Sequence, residues 1–334
     1  MSSLYLPAIE VTRGKFVESI HMAAIAVVDS SSRVVSRLGS ADHEVFLRSA
    51  AKPFQAMAVI ESGAVERFGL SAAEIAVMSG SHSSEPGQVE VVASILNKAG
   101  LDPTALRCGT HTPFNREVAE EYRRRGVPIA PIHHNCSGKH AGMLASAAAG
   151  GHDLESYLAP DHPVQQRILD IFADMTGRRR NQVPVAVDGC GAPTLGATLS
   201  EAARAFSRLA GSPRESARAV VGAMRSHPGM VAGQGMMDTE LLSHPRHDLI
   251  SKRGAEGVWC GAHTKGGSPW GIAFKIADGN SARARTALIV ELLRRHGLMT
   301  EAELERLTEA SSLSVLNDGG RVVGVVRAAF EMQG

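Results

Sequence analysis

The sequence has almost no charge imbalance: 35 Lys and Arg stand against 34 Asp and Glu, a formal net charge of +1. A balanced chain projects no long-range field toward nucleic acid or an anionic membrane, so selectivity must come from a local site. The expected partner is a small molecule. Long hydrophobic runs are also missing. The longest apolar stretches, such as 141–149, are Ala-rich and far short of the roughly 20 residues that cross a bilayer. Cysteine is scarce, at positions 108, 136, 190 and 260, and the polar start Met1-Ser2-Ser3 has no apolar signal segment. A secreted disulfide framework is therefore not expected; reduced thiols in a cytoplasm are.

What is present suffices for a core. Hydrophobic residues make up 44% of the 334 positions and charged residues 21%, near the average for soluble globular proteins. The length allows one or two domains, and a single domain spanning 1–334 is expected. Residues 20–28 and 34–38 read as strands joined by the turn-rich Asp29-Ser30-Ser31-Ser32-Arg33. Near the other end, 257–260, 271–276 and 321–327 are again β-like. Between them, helical spacing runs through 53–62, 88–99, 115–125, 139–149, 163–176, 198–209 and 213–225, with one more helix at 281–296. Strands at both ends and helices between predict an α+β fold, an antiparallel sheet built from N- and C-terminal segments with a helical lobe over roughly 53–250. A doubly wound parallel sheet would need strands alternating through the middle, where only 183–187 is a good candidate.

The most informative local feature is Arg48-Ser49-Ala50-Ala51-Lys52-Pro53. Serine and lysine three residues apart share one face of a helical turn, and Pro53 places that turn at a helix entrance. A partly desolvated lysine has a lowered pKa, so its neutral amine could take the serine proton in place of a histidine base. The bland reading is a helix cap with an exposed lysine. A second segment, Ser79-Gly80-Ser81-His82-Ser83-Ser84-Glu85, reads either as a polar loop capping the next helix or as a second hydroxyl beside the first. A third, Asn135-Cys136-Ser137-Gly138-Lys139-His140, opens the Ala-rich helix, and Asp188-Gly189-Cys190 follows an apolar run. The two cysteines could give thiolates to one Zn2+, with His140, His133 or His134 as third ligand, or be buried structural thiols. Asp188 could orient a substrate ammonium group or make an Asx-turn with Gly189.

These blocks, with His227-Pro228 and Met230-Val231-Ala232-Gly233, occur in an order that closely resembles the asparaginase II family, the third class of L-asparaginases, related in fold to serine β-lactamases and glutaminases. The resemblance implies two adjacent pairs, Ser49 with Lys52 and Ser81 with Lys252, and a Zn2+ held by Cys136, Lys139 and Cys190. It also implies hydrolysis of the side-chain amide of L-asparagine to aspartate and ammonia, with Arg48, His82 and Asp188 as the residues expected to bind substrate. A homodimer is the expected assembly, with no nucleic-acid or membrane partner. The Lys-Thr-Gly strand motif of β-lactamases is not evident, which weighs against β-lactam chemistry. The alternatives are a penicillin-binding-protein-like serine hydrolase and a non-catalytic zinc-binding sensor.

Overall fold

Hydrophobic segments at the two ends of the chain become antiparallel neighbours in one sheet. The computed structural model describes residues 3–246, 248–309 and 313–334. Its eight-stranded sheet runs in the order Ser314–Leu316, Val322–Ala328, Leu6–Arg13, Phe16–Val28, Trp270–Ile276, Val258–His263 and Leu249–Arg253, with Val34–Leu38 also paired to Phe16–Val28. The register brings Ile25 opposite both Leu38 and Phe274, so the expected hairpin and the expected C-terminal strands share the sheet. Residues 23–28 are buried without interruption, which explains why their sequence is a continuous apolar run rather than an alternation. The helix Leu199–Gly211 lies directly on Trp270–Ile276: a Cβ at Gly271 would sit 1.8 Å from the Ala203 carbonyl oxygen. Only glycine allows that approach.

This is the α+β plan read from the sequence, with additions. The strand Leu6–Arg13 was not expected, because Pro7 and Glu10 interrupt its apolar pattern and register shifts at Pro7/Ile9 and Val11/Thr12 break its alternation. Leu249–Arg253 was also missed, since its Ser251 and Lys252 are polar yet buried. The helices Ala64–Phe68, Ala72–Ser79 and Glu301–Glu309 are further additions.

The chain forms two compact units. One comprises Met1–Leu47, Ala197–Gly211 and Ser251–Gly334 and holds most of the sheet; the other comprises Arg48–Gly196 and Ser212–Ile250 and is largely helical. At the centre of the helical unit is Lys52–Glu61, whose residues 52–59 are all buried. A helix that is apolar on every side has to be surrounded. Here Ala72–Ser79, Ser137–Gly150, Pro163–Thr176 and Glu215–Ser226 pack on it, with Phe54 edge-on to Phe172 at 6.0 Å. The short strand Val185–Val187 pairs with Pro193–Thr198 in this unit. No helix among the described residues is long and apolar enough to cross a membrane.

Candidate active site

Pro53 fixes where the central helix begins. A 3-10 turn, Arg48–Ala51, runs into Lys52–Glu61 with the proline in the first helical turn, where its missing N–H costs no hydrogen bond. Lys52 thus stands at the head of the helix, and its side chain is completely buried. Its amine has three oxygen partners: the Gly80 carbonyl at 2.7 Å, Ser81 Oγ at 2.9 Å and the Asn135 carbonyl at 3.3 Å. None of these is Ser49, which is half-buried on the preceding turn. The spacing of three residues correctly places both on one turn, but the lysine stem runs inward and its amine meets the second serine instead.

That tripod suits a proton acceptor. The two carbonyls can only accept, whereas the Ser81 hydroxyl can accept or donate. A neutral Lys52 amine would give its two hydrogens to Gly80 and Asn135 and present its lone pair to Ser81. Burial pushes the Lys52 pKa down, aided by the charge of Lys139 and opposed by the sulfurs of Cys136 and Cys190.

The Ser81 loop is held by the motif at 230–233, which had no assigned purpose in the sequence. Ser81 N–H donates to the Val231 carbonyl at 2.7 Å, and Ser83 Oγ donates to the Ala232 carbonyl at 2.6 Å. A Cβ at Gly80 would lie 2.6 Å from the Met230 carbonyl oxygen, so the two segments touch backbone to backbone. Gln88 closes the loop from the other side, accepting from the N–H groups of Ser83 and Glu85.

His82, expected to bind substrate, has both nitrogens committed inside the fold. Nδ1 accepts the Ser84 N–H at 3.1 Å, so the proton is on Nε2, which donates to Ser137 Oγ at 2.8 Å. Burial, with the charge of Lys52 adding to it, pushes the His82 pKa down to about 3. His82 thus ties the Ser81 loop to the start of helix Ser137–Gly150. The same helix start packs on Ala72–Ser79 through Gly138, where a Cβ would lie 2.4 Å from the Val77 carbonyl oxygen.

Cys136 and Cys190 are both buried and interact with each other through their side chains. Cys190, with Lys52 and Lys139, lowers the Cys136 pKa against the cost of burial. Cys136 and burial together raise that of Cys190. Lys139 is buried beside both sulfurs and 3.8 Å from Asp188, and although burial opposes it, these neighbours hold its proton above the usual lysine range. Among the described residues no group of three or more His, Cys, Asp and Glu side chains is arranged to hold a metal. Of the histidines considered as third ligand, His133 Nδ1 accepts from Ala130 N–H, His134 Nδ1 from Cys136 N–H, and His140 Nδ1 faces the Tyr157 hydroxyl. With the amine of Lys139 added, the two sulfurs become a compact buried donor set whose chemistry fits Zn2+.

Arg48 and Asp188 meet in an ion pair, with Nε and Nη2 each 2.7 Å from Asp188 Oδ1. Arg48 sits in the left-handed region at φ 52°, an unusual conformation for a side chain of this size. Asp188 Oδ1 also accepts its neighbour Gly189 N–H at 2.8 Å. Lys252 lies in the other unit, on Leu249–Arg253, buried and donating to the Arg253 carbonyl at 2.9 Å. Sequence reasoning missed the Asn135 carbonyl as a lysine partner and missed His111 beside it. A backbone acceptor leaves no mark in residue type, and His111 lies outside every motif.

A search of curated protein sequences returns no match. Solved structures similar to the chain include Mglu in its native form, at 17% identity over 87% of this chain and 67% of its own, TM-score 0.46. Another is Bacillus glutaminase, at 10% identity over 87% of this chain and 92% of its own, TM-score 0.36. The L-asparaginase II family model matches residues 9–328, nearly the whole sequence and all five motif blocks. The chain belongs to the L-asparaginase II family and is an amidohydrolase of that type.

Proposed function

We propose that this protein is an L-asparaginase that works by serine acyl transfer, and the observation that supports it best is the buried Lys52 amine hydrogen-bonded to Ser81 Oγ. In this reading Ser49 attacks the side-chain amide carbon of asparagine while its proton passes, by way of the Ser81 hydroxyl, to Lys52. Ser81 relays that proton from Lys52 to the leaving nitrogen, so that ammonia departs and an aspartyl ester remains. Water then takes the reverse proton path and releases aspartate. The opposite assignment, with Ser81 as nucleophile, uses the same lysine. Lys252 enters only through the family resemblance. Arg48 and Asp188, already paired, would meet the α-carboxylate and α-ammonium groups of the amino acid, each substrate charge replacing part of an existing ion pair.

Cys136, Lys139 and Cys190 are the residues that would hold Zn2+, which when bound supplies a Lewis-acidic cross-link between the two turns that carry them. Lys139 can ligate only after losing the proton that its neighbours now favour, so binding is expected to strengthen as pH rises. A cytoplasmic location and a homodimer belong to the same proposal; light scattering on purified protein tests the second. Ammonia release, coupled to a glutamate dehydrogenase readout with asparagine and with glutamine as separate substrates, tests the activity. No release from either amide would overturn the reading, and preference for glutamine would replace the substrate while leaving the chemistry in place.

A further inference from the structure

We propose that His111 is a positioning residue for the reaction: together with His134 it holds two consecutive backbone N–H groups, those of Asn135 and Cys136, and so fixes the carbonyl from which Lys52 hangs. This rests on the role given to Lys52 above.

The backbone contacts of the ring match one neutral tautomer. His111 Nδ1 lies 2.8 Å from the Thr112 carbonyl oxygen, which can only accept, so the proton is on Nδ1 and Nε2 is an acceptor. Asn135 N–H donates to that Nε2 at 3.1 Å. The Asn135 side-chain oxygen Oδ1 also lies 3.0 Å from Nε2, and exchanging the oxygen and nitrogen of that amide turns the contact into a second donation to the ring. One residue on, Cys136 N–H donates to His134 Nδ1 at 2.9 Å. Two imidazoles therefore satisfy two successive donors of a turn just before the helix Ser137–Gly150, where backbone N–H groups have no helical acceptor of their own.

Packing holds the first ring in place. His111 meets His134 edge-on at 4.2 Å between centroids, and Phe114 stacks on it at 4.6 Å with the planes 21° apart. Phe114 is itself 60% exposed, an unusual place for a phenylalanine unless its inner face is in use. The consequence reaches the amine directly. The Asn135 carbonyl accepts from Lys52 at 3.3 Å, the longest of three oxygen contacts to the amine, and the other two lie on the Gly80–Ser81 segment. The Cys136 side chain, one residue on, also acts on the amine, so the Asn135–Cys136 turn is the second segment that aims Lys52. With that turn displaced, Lys52 would no longer be held in line with Ser81 Oγ.

The test compares His111→Leu, which keeps bulk but loses the acceptor, with His111→Gln, whose side-chain oxygen can accept the Asn135 N–H. His111→Leu should lower kcat for asparagine by about ten- to a hundredfold, the range produced by a small misplacement of a catalytic group, with KM little changed. His111→Gln should restore most of the loss. Equal impairment of the two, or a loss in KM alone, would overturn the inference, because a merely structural histidine gives no such rescue. Should His111→Leu fail to fold, Phe114→Ala removes one wall of the ring's enclosure and should still lower kcat by a few fold, roughly; an unchanged kcat there counts against the proposal. Lys52→Met separates the two readings. Full activity in it removes the lysine mechanism altogether, whereas an inactive Lys52→Met beside a normal His111→Leu removes only the role of His111.

Discussion

The amine of Lys52 hydrogen-bonds to the hydroxyl of Ser81, 29 positions away, and not to that of Ser49, three positions before it. The first serine is therefore the accessible hydroxyl and the second the buried partner of the base. Replacing Lys52 by Met keeps length and apolar bulk while deleting the amine, so kcat should fall on the order of a thousandfold. Stability should not fall with it, because the variant removes a buried group that burial disfavours in its charged form. A Lys52→Met protein with near-normal turnover would leave the serine–lysine mechanism without support.

The two serines are distinguished by trapping. Ser49→Ala should abolish the acyl-enzyme and most of kcat, whereas Ser81→Ala should retain a slow burst of acylation with impaired release. The double variant Ser49→Ala plus Lys52→Met should be scarcely worse than either change alone, since each breaks the same step. Mass spectrometry of the quenched reaction checks this: an aspartyl adduct on Ser81 with none on Ser49 would exchange the roles.

Metal binding is checked independently of turnover. Purified protein should carry about one zinc per chain, and Cys136→Ala plus Cys190→Ala should remove it. Lys139→Met should weaken binding while leaving the two thiols in place. Full zinc content in the double cysteine variant would sink the assignment. Loss of zinc with activity largely kept would show that the metal holds the two turns rather than taking part in the chemistry.

The elements most legible in the sequence are those whose residues announce their environment. The strand read at 20–28 and the helix Pro163–Thr176 carry apolar runs and spacings with one good solution; the helix appears as read and the strand begins four residues earlier, at Phe16. The strand Leu249–Arg253 defied the same reasoning because a buried lysine looks identical to a surface one until its surroundings are known. The site divides in the same way. Ser49, Lys52 and Ser81 stood out as residue types with nucleophile and base chemistry, and Lys52 and Ser81 do meet. Which serine the lysine touches was not legible, because it depends on where a long side chain runs through a packed interior. The loop-clamping role of 230–233 depends on backbone contacts, which side-chain identity records only as glycines.

Stability should decline in acid through a histidine. Folded, His82 takes up a proton only near pH 3; unfolded, it does so near its ordinary 6.5. Between those values the unfolded chain binds more protons, so stability is fully present above about 6.5 and is lost as pH falls toward about 3. His82→Asn can still accept the Ser84 N–H but cannot titrate there. It should be less stable near neutrality, for want of the Ser137 bond, and show a shallower decline across the same window. Denaturant midpoints measured at several pH values decide it; parallel curves for the two proteins would mean that another group carries the acid sensitivity.

Gly233 offers a way to disturb the Ser81 loop without touching a reacting group. Its φ of 108° is one that side chains rarely adopt, and a Cβ there would lie 2.6 Å from Ser83 Oγ and 2.7 Å from Glu85 Oε1. Those two atoms make bonds the loop depends on, Ser83 Oγ to the Ala232 carbonyl at 2.6 Å and Gln234 N–H to Glu85 Oε1 at 2.9 Å. Gly233→Ala should therefore combine backbone strain of about 1–3 kcal/mol with the displacement of both side chains. Gly235 supplies the control, since it also has a positive φ, 69°, but has nothing within 4 Å of a Cβ. Gly235→Ala should carry only the strain, of about 1 kcal/mol, and leave kcat unchanged. The larger loss of stability at Gly233 should come with a lower kcat, because Ser83 lies two residues from Ser81 on the same loop. Equal destabilisation and equal kcat in the two variants would show that the segment at 230–233 does not hold Ser81 in place.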